Sequence, residues 1–312
     1  MPFVHLHGHS TFSFLEAIGK PGKIIAKAKE LGMDAIAITD YNGMYGIIKF
    51  YQTAKEESIK PIIGVELGFV LDINSVIPAN QIGNIVLLAK NKQGYESLME
   101  LTSFANKQGI AGKPKIDINI LNTFGPGVIC IMGGKESWIG KMLMQDEKPE
   151  KIAEIIQMIK NAVGEENVYL EITAQDEKLL PEVKKVNTQI LDLSRTTSTP
   201  CVVHNNFHYP NKEDKEAREI ALAIKDGKKI YDEDRRKPKG DFYIMTEEEI
   251  RAICEKNGYE KAQIDSWIET NSKVAEGIIP EIDLHQTLFP NYDSPEDIIE
   301  VYEQYKDQLV EE

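Results

Sequence analysis

The chain has 312 residues, 42% hydrophobic and 28% charged, which is too apolar for disorder and long enough for one large α/β barrel or two modest domains. Its formal net charge of −14, from 36 basic and 50 acidic residues, excludes a protein that grips nucleic acid with its whole surface, because phosphate neutralisation needs the opposite sign. No apolar run reaches the ~18 residues of a membrane span, the opening Met1-Pro2-Phe3-Val4-His5 does not read as a signal peptide, and Cys130, Cys201 and Cys254 form neither a disulfide framework nor a zinc ribbon. A reducing cytoplasm with no membrane partner is the expected setting.

In chain order, Phe3 to His7 reads as a strand and Lys23 to Leu31 as a helix, with Ile24, Ile25, Ala28 and Leu31 on one face and Gly32 as its stop. Ala35 to Thr39 reads as a buried strand, Gly46 to Glu57 as a helix and Pro61 to Glu66 as the next strand. Asn84 to Ala89 is a strand followed by a helix from Gln93 to Phe104. Val128 to Met132 is another strand, and helices cover Ser137 to Met144 and Pro149 to Val163. Strand Val168 to Ile172, helix Leu179 to Arg195 and strand Cys201 to His204 complete the alternation. Beyond Asn211 the pattern turns helical, over Lys212 to Ile224, Glu247 to Lys256 and Lys261 to Ala275. Seven strands, nearly all apolar on both faces, predict a parallel barrel or a doubly wound sheet. Gly277 to Ser294 reads as a linker, and Ser294-Pro295 starts a helix over Glu296 to Leu309 that has little to pack on, so the chain looks cut.

Chemistry in parallel α/β folds gathers at the carboxyl ends of strands. His5, His7 and His9 lie around the end of the first predicted strand, Asp40 follows the second, Glu66 ends the third, Glu171 lies in a later one, and His204 and His208 follow the last. Five of the six histidines fall in two short segments, which favours a polar or metal-binding mouth. An H-x-H pair on a strand presents both imidazoles to one face. A carboxylate from another strand would complete a site for zinc, manganese or iron.

The stretch from His5 to Glu16 (HLHGHSTFSFLE) resembles the first motif of the PHP (polymerase and histidinol phosphatase) domain, in the version that opens the α subunit of bacterial DNA polymerase III. The resemblance continues through Ala35 to Asp40, Lys60 to Glu66, Leu87 to Asn91 with Gly94-Tyr95, Tyr169 to Glu171, and Asn205 to Tyr209. Ala217 to Asp234 resembles the same subunit's continuation beyond the barrel. The resemblance implies a distorted seven-stranded (βα) barrel, the PHP fold, followed by a mainly helical extension. Residues 1–275 would form barrel and extension, and 276–312 a linker and the truncated start of the polymerase palm region. Complete members hold up to three metal ions on nine ligands.

Carried over residue by residue, the resemblance makes His7, His9, Glu16, Glu66 and His208 metal ligands. Four positions depart from the motif: Tyr41 and Asn84 stand at histidine positions, Gly134 at a cysteine position and Asn206 at an aspartate position. An incomplete set implies one divalent ion (Zn, Mn or Mg) or none, and a barrel kept mainly as a structural platform. The implied partners are the remainder of the polymerase α subunit, a proofreading exonuclease subunit, and primer–template DNA in the full assembly. The whole would be a DNA-directed DNA polymerase, a nucleotidyltransferase; these residues carry no palm or fingers and are not expected to polymerise by themselves.

The alternative is a stand-alone metal-dependent phosphoesterase or 3′-5′ exonuclease of the same family. A metal-dependent amidohydrolase on a TIM barrel also begins with H-x-H, but leaves the polymerase-like stretches unexplained. Asp232-Glu233-Asp234 and the basic run Arg235 to Lys239 read as solvated loop rather than as a catalytic acidic pair and a phosphate grip.

Overall fold

Runs of β-branched and small apolar residues bury both faces of a strand, and here they build one curled, mixed sheet. The computed structural model describes residues 2–75, 77–78, 81–108, 113–279, 282–284 and 296–309. The chain divides into two units, Met1–Glu281 and Ile282–Glu312.

In the first unit the strands are β1 (Ala35–Ile38), β2 (Lys60–Val70), β3 (Gly83–Ala89), β4 (Lys115–Asp117), β5 (Val128–Gly133), β6 (Val168–Thr173) and β7 (Cys201–His204). They lie in the order β1-β2-β3-β5-β6-β7, with β4 paired to β2. Between them run α1 (Pro21–Glu30), α2 (Ile47–Glu56), α3 (Lys92–Gln108), α4 (Ile118–Phe124), α5 (Trp138–Met144), α6 (Pro149–Val163) and α7 (Pro181–Thr197). The helical extension is α8 (Lys215–Lys225), α9 (Glu247–Asn257) and α10 (Lys261–Gly277). Local chemistry sets several starts: Pro21 and Pro149 open helices, Asp117 and Ser137 cap α4 and α5, and Thr246 forms a capping box with Glu249.

The sheet is not the all-parallel one expected. β3 runs antiparallel to both β2 and β5, because residues 71–82 link β2 to β3 with no crossover helix among the described residues. β4 and α4 fall in a stretch where no element was predicted; a three-residue strand carries no periodicity to read.

Phe3 to His7 is not a ladder strand, contrary to the sequence expectation. This extended segment instead lies between the two ends of the sheet, bonded to each at isolated points. Ala37 N donates to His5 O at 2.9 Å and Thr39 N to Gly8 O at 2.8 Å on the β1 side. On the β7 side His9 N donates to Phe207 O at 2.8 Å. Where a ladder with β7 is missing, Asn271 of α10 takes its place. Its Oδ1 accepts from Val203 N at 3.0 Å, and its Nδ2 donates to Val4 O at 3.0 Å and Val203 O at 2.8 Å. Gly8 is required here by space, since a Cβ would stand 2.0 Å from the Phe207 ring.

The sheet's interior is filled by residues two apart along the strands, such as Ala35 and Ala37, Val86 and Leu88, Ile129 and Ile131. Val274, Ala275 and Ile278, from α10 and the residue after it, join this cluster. Each such fully buried aliphatic side chain contributes about 1.5–3 kcal/mol, or less for alanine, and this holds the extension on the barrel. The second unit contains α11 (Glu296–Leu309), which forms over the span expected. Leu284 is described, but most of the predicted linker, including residues 285–293, lies outside the described residues.

Candidate metal centre

The mouth is built from the middle of β2, which runs on past Glu66 to Val70 rather than ending there as expected, from the ends of β6 and β7, and from the turn of the N-terminal segment. Along each of these strands a core residue is followed on the same face by a polar one: Ile62 by Glu66, Tyr169 by Glu171, Val202 by His204. The strand period thus sets three ionisable side chains on the same face as the apolar interior. His7 lies between the two carboxylates. Its Nε2 is 2.8 Å from Glu66 Oε2 and its Nδ1 2.7 Å from Glu171 Oε2. His9 Nε2 is 3.2 Å from the same Glu66 oxygen, and Asn84 Nδ2 donates to Glu66 Oε1 at 2.6 Å.

The loop carrying these histidines is held by Asp40. Its carboxylate accepts from Ser10 N, Ser10 Oγ and Ser13 Oγ, each at 2.7 Å, and Ser13 Oγ lies 3.2 Å from His9 Nδ1. Asp40 is therefore a positioning residue.

Burial opposes charge on His7, Glu66 and Glu171, yet there the partners prevail. Burial pulls the His7 pKa down, and the charges and hydrogen bonds of Glu171 and Glu66 more than offset it, raising it to about 10. Burial pushes Glu171 up, but His7 and His204 bring it down to about 2. Glu66 is likewise held well below the usual carboxylate range by His7 and His9 against the effect of burial. Desolvation lowers the pKa values of His204 and His208 below the ordinary imidazole value.

Of the expected ligands, the structure brings three into one group: donor atoms of His7, His9 and Glu66 lie within 4.8 Å of one another. Two imidazoles and a carboxylate are a suitable donor set for one divalent ion. Buried polar atoms without hydrogen-bond partners support the fit. They include His204 Nε2, Thr173 Oγ1 and Asn206 Oδ1. His208 stands beside the group, its ring centroid 4.5 Å from that of His9, but its Nδ1 is engaged by Asn206 O at 2.8 Å and its Nε2 is 3.4 Å from Tyr41 Oη.

Glu16 lines the same cavity but lies outside this group of three. Its carboxylate pairs with Lys225 and with Arg236 Nη1 at 3.3 Å, and Arg218 Nε donates to its backbone oxygen at 2.9 Å. A motif read along the chain does not show that Lys225, at the end of α8, and Arg236, beyond it, supply cations to this carboxylate. His5, the third histidine of the run, is also turned away: it bonds Met245 O at 2.9 Å and packs on Phe3 and Phe207.

The four departing positions behave as their side chains dictate. Tyr41 stacks on His9 at 4.0 Å with rings 16° apart. Asn84 binds Glu66 as above. Gly134 sits at φ 71°, where a Cβ would point toward Thr173 Oγ1 at 3.2 Å and Glu171 Oε1 at 3.9 Å. Asn206 serves His208 through its backbone oxygen.

Sequence reasoning missed Lys113 altogether, and noted Glu171 and His204 without assigning them to the site. A carboxylate inside the apolar run Val168 to Thr173 was the available signal for Glu171. Lys113 offered none. The arginines of the basic run are not simply solvated: Arg235 pairs with Glu219 at 3.0 Å and Arg236 with Asp226 at 3.0 Å as well as Glu16. Arg236, Lys237 and Lys239 help line a cavity of about 980 Å³ into which the His7–Glu66 cluster opens.

Residues 5–175 match the PHP domain family, and the chain belongs to that family. It is homologous to the N-terminal region of DNA polymerase III subunit alpha. The subunit from Borreliella burgdorferi is 34% identical over 253 residues, which are 80% of this chain and 22% of that protein. The subunit from Aquifex aeolicus is 29% identical over 95% of this chain and 26% of its own length. The chain thus spans about a quarter of the length of these curated relatives. Among solved structures, an amidohydrolase from Chromobacterium violaceum aligns at 12% identity and a TM-score of 0.43, over 67% of this chain and 88% of that one.

Proposed function

We propose that the chain is the PHP region of a replicative DNA polymerase α-type subunit and serves chiefly as a structural platform. The partners would be the rest of the polymerase, a proofreading exonuclease subunit and, in the full assembly, primer–template DNA, with the bacterial cytoplasm as the setting. Residues 276–312 would be a linker and the first part of the palm region. Homology over 80% of this chain to an α subunit supports the assignment. The observation that carries the platform reading is internal charge closure: His7 bridges Glu66 and Glu171, and Glu66 is further bonded by Asn84.

His7, His9 and Glu66 would hold one divalent ion, Zn, Mn or Mg. When bound, such an ion supplies positive charge able to polarise a phosphoryl oxygen. A second and third ion would need imidazole, thiolate or carboxylate at Tyr41, Asn84, Gly134 and Asn206, which supply none. Phosphodiester cleavage draws on charge at both the attacking and leaving oxygens, so one ion leaves the reaction poorly served.

A residual phosphoesterase or 3′-5′ exonuclease is the second reading. It is favoured by the cavity, which places Lys135, Arg218, Lys225 and Arg236 around the same mouth. Titration of Mn and Zn by calorimetry, followed by a labelled-primer assay at saturating metal, separates the two. At most one ion and no cleavage are expected. Three ions with cleavage that disappears in His7→Ala would overturn the platform reading.

A further inference from the structure

Asn84 stands at a position where the family motif has a histidine, and its amide is oriented by two partners. The nitrogen donates to Glu66 Oε1 at 2.6 Å, so the oxygen faces the other way. There it accepts from Lys113 Nζ at 2.5 Å, and the same ammonium donates to Ile82 O at 3.0 Å. Lys113 reaches the mouth from the segment just before β4 and lines the cavity together with Asn84, Glu66 and His7. A neutral amide oxygen is an acceptable ligand for a hard cation. The cation it meets here is the protein's own, a compact charge with three donors.

We propose that Lys113 is the resident cation on the Asn84 side of the mouth. It holds the oxygen that a second divalent ion would need, and so limits the site to the ion held by His7, His9 and Glu66. Glu66 divides between the two cationic positions: Oε2 faces the histidines, and Oε1 is bonded through Asn84 to Lys113. A divalent ion at Asn84 would have to displace the ammonium or lie against a like charge. Lys113 is thus a determinant of metal stoichiometry. The inference rests on the one-ion reading above.

The test is calorimetric titration of the whole chain with MnCl2, alongside circular dichroism. Wild type and Lys113→Arg are expected to take one ion at most. Lys113→Met is expected to bind Mn2+ about tenfold tighter, or to gain a second ion, because a neighbouring positive charge is gone. Asn84→His alone is expected to gain no ion, while Asn84→His combined with Lys113→Met gains one. A second ion in Asn84→His with Lys113 intact would overturn the proposal, as would Lys113→Met titrating like wild type. The Asn84→His arm decides the matter if Lys113→Met fails to fold. The one-ion reading is judged separately: it fails if His9→Ala titrates like wild type, whereas the Lys113 proposal stands or falls on the gain relative to wild type.

Discussion

His7 Nε2 lies 2.8 Å from Glu66 Oε2, with both side chains nearly excluded from solvent. Glu171 on the other ring nitrogen makes this imidazole a bridge between two carboxylates. In the metal-free chain His7 is therefore an imidazolium, and a divalent ion must displace a proton to use it. Metal affinity and protonation are opposed at this one residue.

That bridge sets a pH window for stability. His7 binds its proton more tightly when folded, at about 10 against 6.5, so its contribution is complete below 6.5 and lost as pH rises toward 10. Glu171, lowered from 4.5 to about 2, contributes above 4.5 and loses its contribution as pH falls toward 2. Thermal melts without metal are expected to show maximal stability between these limits and a decline on either side. Histidine NMR should find one ring still protonated at about pH 9, while His5, which burial lowers to about 3, stays neutral over the same range. A melting temperature that does not fall between pH 6.5 and 10 would contradict the bridge.

Asn271 closes the seam between the N-terminal segment and β7. Asn271→Leu strands Val4 O, Val203 N and Val203 O in a buried setting. A loss of about 3 kcal/mol or more is expected, from about 1–3 kcal/mol for each unsatisfied group. Asn271→Asp keeps an acceptor for Val203 N but has no donor for the two carbonyls, and should also be destabilised. Urea unfolding measures both; losses under about 1 kcal/mol would mean that the seam is held by packing alone.

Glu16 resembles a ligand by motif but binds Lys225 and Arg236. These partners are partly exposed, so Glu16→Gln is expected to cost only about 0.2–1 kcal/mol of stability. Mn2+ affinity, read by calorimetry, should be unchanged. A marked loss of affinity would return Glu16 to the ligand set.

Gly134 occupies the left-handed region at φ 71° beside Thr173 and Glu171. Gly134→Ala is expected to destabilise the chain by about 1–2 kcal/mol, from backbone strain and the tight approach to Thr173 Oγ1. Gly134→Cys carries the same backbone strain, so restoring the motif's thiol is expected to lower the denaturation midpoint measured without metal.

The sequence by itself determined most of the local elements. Buried runs such as Ala35 to Ile38 and Cys201 to His204 announce strands because β-branched and small apolar residues have few other favourable settings. Pro149, Thr246 with Glu249, and Gly258 mark helix ends through φ restriction, orphan N–H groups and left-handed caps. The clustered histidines likewise pointed to a polar mouth. Tertiary structure alone decided how these parts meet. Nothing in Phe3 to His7 shows that its neighbour across the seam is an asparagine some 270 residues away, so a strand was expected where an amide does the bonding. The direction of β3 depends on what the connection before it lacks, which strand composition does not encode. His5 and His7 are the same residue type two positions apart, yet one meets Met245 O and the other two carboxylates. Lys113, Asn84, Glu66, His7 and Glu171 form one chain of contacts from five separate segments. Electrostatic pairing acts over a few ångströms of space regardless of distance along the chain, so it leaves no period in the sequence to read.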